Sequence, residues 1–308
     1  MNILLTGSGG MVGRNILDNS SAKNYKILSP KRSELDLLDI NSIENFFKLN
    51  KIDIIIHAAG VVGGIQENIS NPLRFLVENL QMGVNLINVS KKNNIQNFIN
   101  LGSSCMYPKN ARNPLSENLI LQGSLEPTNE AYALAKITIT RLCEYISKQH
   151  KPMKYITIIP CNIYGKYDDF DLNTSHMIPA AIHKIHDAKK KGKGSVTIWG
   201  DGEARREFMY AEDLANFIYF SVKNFKEMPQ NINVGLGRDY TINEYYKNIA
   251  SIIGYKGKFT HDKSKPIGMK QKLIDNKRQK ILGWNHSFDL NEGVTRTYDY
   301  FLGEVYND

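Results

Sequence analysis

The sequence predicts an α/β protein with a doubly wound parallel sheet and a smaller carboxyl-terminal α/β lobe. Two observations support this fold class. Short apolar runs alternate with longer helical patterns through the first half of the chain, as expected for repeated strand–helix units. A glycine-rich segment directly follows the first apolar run, and this order of strand, glycine turn and helix is typical of a sheet that binds a dinucleotide at the carboxyl ends of its strands.

The alternation defines five strands and four helices in the amino-terminal part. We predict strands over residues 2–6, 25–29, 53–57, 97–102 and 155–160, and helices near residues 10–20, 41–50, 71–93 and 129–150. The mixed pattern that follows predicts helices near residues 175–190, 211–224, 241–253 and 290–303 and short strands at 196–199 and 232–235. We therefore assign residues 1–165 to a Rossmann domain, to which residues 211–236 return, and residues 166–210 and 237–308 to a substrate-binding lobe.

The glycine-rich segment is GSGGMVG, residues 7–13. Gly7 permits a tight turn, Gly10 lets backbone N–H groups approach a pyrophosphate at the start of the next helix, and Gly13 allows that helix to pack closely on the strand. Met11 and Val12 supply further backbone at the same turn. The spacing also fits a plain glycine-rich turn, but its place directly after a first strand favours a dinucleotide site.

The end of the second predicted strand indicates which nicotinamide cofactor is used. An enzyme that prefers NAD usually has an acidic residue here for the ribose 2′-hydroxyl, whereas this chain has Pro30, Lys31 and Arg32. Arg32, with Ser29, can pair with a 2′-phosphate, so we predict NADPH. The alternative is that these cations are only solvated loop charges. Asp39 either contacts the adenine or begins the next helix.

A second motif predicts the chemistry. Tyr132 and Lys136 are spaced Y-x-x-x-K in TNEAYALAK, and Ser103 lies upstream in NLGSSCMYP. Because positions i and i+4 share one face of a helix, we expect the Lys136 ammonium to lie beside the Tyr132 phenol and to lower its pKa. The phenol then exchanges a proton with a carbonyl or alkoxide oxygen that Ser103 holds. A solvated surface pair is the alternative reading of Tyr132 and Lys136; otherwise the three residues predict hydride transfer from a nicotinamide.

Composition excludes several other classes of protein. The chain has 308 residues and a formal net charge of +8, but its Lys and Arg residues are dispersed, so we expect no nucleic-acid binding. No apolar run approaches the ~20 residues of a membrane span, and a strand begins at once, so we expect no membrane contact, no signal peptide and a cytoplasmic location.

Cys105, Cys143 and Cys161 have no paired spacing, which fits a reducing compartment. His183 and His186 have no acidic or cysteine partner at ligand spacing, so we expect no metal site.

Further segments form a recognisable set. They are LGSSCMYPK, LQGSLEPTNEAYALAK, SHMIPA, RREF and INVG, with GSGGMVG near the amino terminus and AAGVVGGI after the third strand. Together they resemble the GDP-L-fucose synthase family of extended short-chain dehydrogenase/reductases, from the first strand to the last helices. The resemblance implies that a GDP-linked 4-keto sugar, GDP-4-keto-6-deoxy-D-mannose, becomes GDP-L-fucose by epimerisation at C3 and C5 and reduction of C4 with NADPH.

The resemblance assigns the reduction to Ser103, Tyr132 and Lys136 and the epimerisation to Cys105 and His176 as an acid/base pair. A keto group at C4 acidifies the C3 and C5 protons, and a thiol and an imidazole titrate close enough to neutral pH to remove and return them. Cys105 lies two residues after Ser103, so in an extended segment both side chains project from the same side. Taken singly, Cys105 also fits a small buried residue and His176 a hydrogen-bonded histidine at a helix start.

The resemblance also assigns binding roles. It implies that Asn162, Lys136 and His176 contact the cofactor. It further implies that the nucleotide sugar is bound by Lys184, Trp199 and Arg206. Lys184 and Arg206 suit a diphosphate, and Trp199 offers a flat face for packing, although a tryptophan here equally fits the core of the lobe.

Two residues depart from the family's pattern. Gly9 replaces a basic residue, which leaves Arg32 to bind the 2′-phosphate, and Ile267 replaces an acidic residue near the nucleotide sugar. Related enzymes with the same pattern form GDP-L-colitose or modify GDP-heptoses, so these sugars, and a simple C4 reductase, stay open. A 4-epimerase that recycles NAD is disfavoured by Cys105 and His176. A non-catalytic dinucleotide sensor would need the glycine turn but not the Ser, Tyr and Lys set.

Two predicted helices, residues 71–93 and 129–150, carry more apolar residues than one face against a sheet would absorb. These residues are Leu73, Leu76, Leu80, Val84 and Ile87 in the first helix, and Ile137, Ile139, Leu142 and Ile146 in the second. We therefore expect a two-fold homodimer built on these helices, as the resemblance also implies.

Overall fold

The computed structural model describes residues 1–306 and confirms the predicted doubly wound α/β fold. The strands are β1 (Asn2–Thr6), β2 (Lys26–Leu28), β3 (Ile54–His57), β4 (Asn97–Leu101), β5 (Lys154–Pro160), β6 (Asn162–Tyr164), β7 (Ser195–Trp199), β8 (Arg205–Arg206), β9 (Phe208–Tyr210), β10 (Asn231–Val234), β11 (Tyr240–Thr241), β12 (Lys258–Asp262) and β13 (Gln271–Lys272). The helices are α1 (Met11–Asp18), α2 (Ile40–Leu49), α3 (Ile65–Ser70), α4 (Pro72–Lys92), α5 (Glu130–Gln149), α6 (Met177–Lys190), α7 (Ala211–Lys223), α8 (Ile242–Ile253), α9 (Lys277–Ile281) and α10 (Leu290–Tyr300).

The main sheet is parallel and has the strand order β10-β5-β4-β3-β1-β2. Its central strands are apolar on both faces because helices cover both. On one face, Ile54 and Ile56 of β3 join the cluster that contains Ile16 of α1 and Leu214 of α7. On the other face, Ile55 joins the cluster formed with helices α2, α4 and α5. Alternate residues of β3 therefore pack into two separate hydrophobic cores, one on each face of the sheet.

The carboxyl-terminal part of the chain builds a further core. Helices α6, α8 and α10 contribute Ile182, Ile249 and Val294 to one buried cluster. Strand β7 pairs with β12, and the two-residue strand β8 pairs with both β11 and β13. In contrast, α7 packs with α1, and β10 forms the edge of the main sheet beside β5.

Local signals explain where several helices begin and end. Pro72 occupies the first turn of α4, where its missing N–H costs nothing. Thr241 and Glu244 form a capping box at the start of α8, and Gly254 ends that helix in the left-handed conformation. The predicted helix near residues 290–303 is shorter than expected, because α10 ends at Tyr300 and a π-helical turn, Phe301–Val305, follows.

The short elements around the cavity have no counterpart in the predicted pattern. Strands β6, β8, β9, β11 and β13 are two or three residues long, which is too short to show an alternation of period two. None of the helices described within residues 1–306 is long and apolar enough to cross a membrane.

Candidate active site

A cavity of about 1380 Å³ opens at the carboxyl ends of the main-sheet strands, where the alternating pattern predicts a ligand. It extends from the glycine turn after β1, past the ends of β4 and β5, to Trp199 and Arg206 in the carboxyl-terminal part. Every site residue predicted from the sequence lines this cavity except Asp39. Residues as far apart in the chain as Gly7 and Lys272 therefore share one concave surface.

The glycine turn has the shape that a dinucleotide needs. Gly7 has a φ of +72°, and a Cβ there would lie 2.5 Å from the backbone nitrogen of Ala59. A Cβ on Gly13 would lie 2.1 Å from the carbonyl oxygen of Gly7. A Cβ on Gly9, in contrast, would meet nothing within 4 Å. The turn is thus tight on its inner side and open towards the cavity, so its backbone and the start of α1 fit a pyrophosphate.

At the adenosine end of the cavity, the structure favours the second of the two roles predicted for Asp39, at the start of a helix. Asp39 does not line the cavity, because its carboxylate caps α2 by accepting a hydrogen bond from the Asn41 N–H (2.9 Å). Asp36 lines the cavity instead and lies 3.8 Å from the Arg32 guanidinium. Arg32 itself is largely exposed after β2. Its guanidinium is therefore available to a phosphate at this end of the cavity.

The predicted hydride-transfer residues lie together, but their electrostatics differ from expectation. Lys136 Nζ donates to the carbonyl oxygen of Leu101 (2.9 Å), and burial lowers its pKa to about 8. Burial raises the pKa of Tyr132, and the nearby Cys105 adds to this, whereas a hydrogen bond with Ser103 opposes it. The predicted lowering of the Tyr132 pKa by Lys136 is therefore wrong for the chain alone. Burial outweighs the lysine, whose ammonium lies 5.7 Å from the centre of the Tyr132 ring and donates to a backbone carbonyl.

The segment around Cys105 is a turn rather than the predicted extended strand. Ser104–Met106 form a 3₁₀ helix, and Ser103 caps it by accepting a hydrogen bond from the Cys105 N–H (3.2 Å). The argument that Ser103 and Cys105 project from the same side of a strand is therefore wrong. Both side chains nevertheless reach the cavity, because the turn curls into it.

Two residues that the sequence analysis missed surround the thiol. Asn129 Nδ2 lies 3.2 Å from Cys105 Sγ, and Lys272 Nζ lies 3.7 Å from the same sulfur. Burial lowers the pKa of His176, and the positive charge of Lys272 lowers it further. An amide donor and an ammonium thus lie at the thiol, and a neutral imidazole is the form that accepts a proton.

The far end of the cavity carries cations around an aromatic ring. Lys184 Nζ and Lys265 Nζ lie 5.2 Å and 5.5 Å from the centre of the Trp199 ring. Trp199 is 37% exposed, so it is not a core residue. Arg206 donates to the carbonyl oxygen of Ile267 (2.7 Å), and burial lowers its pKa. This surface suits a planar base or a diphosphate.

The remaining predicted polar residues have structural partners. Asn162 Nδ2 donates to the carbonyl oxygen of Glu207 (2.8 Å) at the edge of the cavity. His183 Nδ1 lies 2.8 Å from the carbonyl oxygen of Phe170, and His186 is near Tyr298. Over residues 1–306, no group of three or more His, Cys, Asp or Glu side chains is arranged to hold a metal ion.

A glycine turn shaped for a dinucleotide and a Ser, Tyr and Lys set in one cavity define a nicotinamide-dependent short-chain dehydrogenase/reductase. The family model described as "NAD dependent epimerase/dehydratase family" matches residues 3–235, and the chain belongs to this family. The resemblance inferred from the sequence motifs is thereby confirmed.

Relatives and solved structures agree with this assignment. The chain is 60% identical to a GDP-L-colitose synthase from Yersinia pseudotuberculosis over 100% of both chains. It is 43% identical to a GDP-L-fucose synthase from Azorhizobium caulinodans, covering 99% of this chain and 98% of that protein. A GDP-mannoheptose C4 reductase from Campylobacter jejuni with NADP bound superposes with a TM-score of 0.88 at 30% identity, covering 98% of each chain.

Proposed function

We propose that this protein is an NADPH-dependent epimerase/reductase of a GDP-linked 4-keto sugar, and that its product is GDP-L-colitose. One observation carries the reaction type: the cavity contains both the Ser103, Tyr132 and Lys136 set and a thiol flanked by Asn129 and Lys272. The choice of colitose over fucose, the first expectation from the motifs, rests on the 60% identity to the colitose enzyme against 43% to a fucose enzyme.

The reductive half of the reaction uses Tyr132 as the acid. NADPH bound on the glycine turn supplies the hydride for the C4 carbonyl of the sugar. Tyr132 then donates its proton to the C4 oxygen, and its raised pKa keeps the phenol protonated before that step. Ser103 donates a hydrogen bond to the same oxygen. Lys136, whose pKa burial lowers to about 8, lies beside this pair with its Nζ 5.7 Å from the centre of the Tyr132 ring and on the carbonyl oxygen of Leu101.

The epimerising half uses Cys105 and His176 on the same 4-keto sugar. The C4 carbonyl acidifies the proton on C5, and inversion requires one group to remove that proton and another to return one from the opposite face. Asn129 Nδ2 and Lys272 Nζ lie 3.2 Å and 3.7 Å from Cys105 Sγ and hold the thiol at the cavity, where it can exchange a proton with the sugar. Colitose is a 3,6-dideoxy sugar, so its C3 is a methylene and only C5 needs to be inverted.

The ligand-binding roles follow from position in the cavity. We place the GDP moiety against Trp199, Lys184 and Arg206, in a lobe formed by residues 166–210 and 237–308. Arg32 would hold the adenosine 2′-phosphate of the cofactor, and Asn162 would lie beside the nicotinamide. We further propose that the protein acts in the cytoplasm, where Cys105, Cys143 and Cys161 stay free, and that it forms a homodimer through α4 and α5.

The test is a comparison of substrates with product analysis. The purified protein is given NADPH and, in separate reactions, the GDP-4-keto derivatives of 3,6-dideoxy-D-mannose, 6-deoxy-D-mannose and a 6-deoxyheptose. We expect the highest kcat/KM with the 3,6-dideoxy sugar and an L-configured product by NMR. A higher kcat/KM with 6-deoxy-D-mannose and formation of GDP-L-fucose would instead establish the fucose activity. Interconversion of the C4 epimers of a GDP-sugar that carries a C4 hydroxyl, without net NADPH oxidation, would replace both with a 4-epimerase.

A further inference from the structure

Arg14 is a cation at the edge of the cavity that the proposed reaction does not use. Its backbone N–H donates to the carbonyl oxygen of Gly10 (2.9 Å), so Arg14 lies one helical turn beyond the open part of the glycine turn. Its side chain is exposed and lines the cavity. A guanidinium at this place adds a full positive charge to the partial positive charge at the start of α1.

The Arg14 guanidinium lies on the ring of Tyr167, which contacts with α1 hold in place. Its central carbon lies 3.6 Å from the centre of the Tyr167 ring. The Tyr167 hydroxyl donates to the carboxylate of Asp18, and Lys166 Nζ lies 3.2 Å from the same carboxylate. Asn15 on α1 donates to the carbonyl oxygen of Lys166 (2.9 Å). The ring is thus attached to α1 at two points, which limits the freedom of the guanidinium that lies on it.

The backbone conformation of Tyr167 favours a role of this arrangement in ligand binding. Its φ is +72°, in the left-handed region that residues other than glycine rarely adopt. Such a conformation persists where surrounding contacts enforce it, and it is frequent at ligand sites. Stacking uses the flat face of the guanidinium and leaves its N–H donors in the plane available to a ligand.

Arg14 and Arg32 lie on different sides of the glycine turn. Arg32 follows β2, at one edge of the main sheet, and lies near Asp36. Tyr167 follows β5 and β6, and β5 lies on the other side of β1 from β2. The two arginines therefore approach the cavity from opposite sides of the glycine turn. Arg14 thus lies on the side of the glycine turn towards β5, and Arg32 lies on the side of β2.

We propose that Arg14, held on Tyr167, binds the pyrophosphate of the nicotinamide cofactor, separately from the contact of Arg32 with the 2′-phosphate. The planar fork of arginine suits two phosphate oxygens at once. This inference rests on the proposed use of NADPH. A protein that binds NADPH but reduces none of the GDP-4-keto sugars would reject the proposed function and leave the inference about Arg14 intact.

The experiment compares three ligands that share the pyrophosphate, NADPH, NADH and ADP-ribose, by titration calorimetry. Because all three contain the contacted group, Arg14→Ala should weaken the binding of each by a similar factor of about ten or more, the loss expected for a charge-assisted hydrogen bond. Arg32→Ala is the matched control, since it should weaken only NADPH. Tyr167→Leu, which removes the ring and keeps Arg14, should weaken all three ligands by a smaller factor.

The outcomes separate the alternatives. Arg14→Lys keeps the charge without the planar fork, so its affinities should fall between those of the wild type and Arg14→Ala. A loss confined to NADPH in Arg14→Ala would move Arg14 to the 2′-phosphate and overturn the proposal. Affinities within twofold of the wild type for all three ligands would also overturn it. Arg14 is exposed, and unchanged thermal melting of each variant will separate a loss of binding from a loss of folding.

Discussion

At the scale of single residues, the surroundings of Cys105 decide which chemistry is possible. An isolated thiol on a buried turn would be an inert packing residue. Here an amide and an ammonium contact its sulfur, and the ammonium also lowers the pKa of the neighbouring His176. One lysine thus contacts the thiol and favours the neutral form of the imidazole.

The effect of Lys272 on the imidazole can be measured on His176. In Lys272→Met, the pKa of His176 should rise towards its ordinary value, because a positive charge that disfavours the imidazolium is gone. Burial will still keep it below that value. The measurement is an NMR titration of the histidine rings between pH 4 and 9, with His176→Asn to assign the signal. Lys270→Met, an exposed change two residues away, is the control; an equal shift in both variants, or none in Lys272→Met, would contradict the effect.

Sequence patterns could not reveal the residues that contact the thiol. Lys272 is 167 positions from Cys105 and reaches it only because the two-residue strand β13 pairs with β8. The Ser103, Tyr132 and Lys136 set was predictable, since its helical spacing is local. The raised pKa of Tyr132 was not, because it depends on burial, which a spacing of four residues does not report.

At the scale of elements, the junction of β1, the glycine turn and α1 combines stability with binding. The helix must approach the strand closely enough for the backbone of the turn to face a ligand, and only glycine permits this at position 13. The long strands and helices were predictable because their apolar periods are clear. The short strands that shape the substrate end were not, since they depend on pairings between distant segments.

A pair of glycine variants tests this junction. Gly13→Ala places a Cβ 2.1 Å from the Gly7 carbonyl oxygen, so it should lower the free energy of unfolding by about 1–3 kcal/mol, as overpacking does, and weaken NADPH binding. Gly9→Ala meets no atom within 4 Å and should unfold like the wild type. Urea denaturation and NADPH titration measure both effects. Equal stability of the two variants would mean that α1 moves away without cost.

The end of β3 carries a buried histidine that makes stability depend on pH. His57 lies 2.9 Å from the Thr6 hydroxyl through Nδ1, and burial lowers its pKa to about 3, from an ordinary value near 6.5. Between these two values the unfolded chain binds a proton and the folded chain does not. The folded state is therefore destabilised as the pH falls from 6.5, by about 1.4 kcal/mol for each pH unit.

The contribution of His57 is isolated by comparing the stability of the wild type with that of a His57 variant at each pH, because other groups titrate over the same range. Burial raises the pKa of Glu207 and of Asp168 to about 7, and these carboxyl groups change stability in the opposite direction over the same range. We expect the stability of the wild type relative to His57→Asn to fall by about 1.4 kcal/mol per pH unit between pH 6.5 and 4.5. The exposed His261→Asn serves as the control. A pH-independent difference for His57→Asn would show that His57 is not neutral in the fold.

At the scale of the whole molecule, most of the apolar residues that suggested a dimer are used within the chain. Helices α4 and α5 pack on each other at Gly83 and Ile139, and Ile87 is fully buried. Half-buried residues such as Leu80 and Val84 pack on the same core. The exposed apolar residues that remain on the two helices are Leu73, Val77, Leu134 and Tyr145.

The proposed dimer therefore depends on this smaller exposed set. Val77 is 44% exposed, and Val77→Glu should convert the dimer into a monomer because two buried carboxylates would face each other across a two-fold axis. Sedimentation velocity at micromolar concentration measures the change. Ile281→Glu, at an 83% exposed position on α9, should leave the dimer intact. A wild-type protein that sediments as a monomer under these conditions would remove the dimer.

The central claim is that one cavity performs two separable reactions, and isotope exchange tests it most directly. Wild type, Tyr132→Phe and Cys105→Ala are incubated with the GDP-4-keto sugar and NADPH in deuterated water and followed by NMR. Tyr132→Phe should lose NADPH oxidation and still incorporate deuterium at C5, because Cys105 and His176 are intact. Cys105→Ala should bind NADPH normally, lose the exchange, and at most slowly reduce the sugar with its starting configuration. Deuterium exchange at the wild-type rate and an inverted product in Cys105→Ala would contradict the account and show that Cys105 takes no part in the epimerisation.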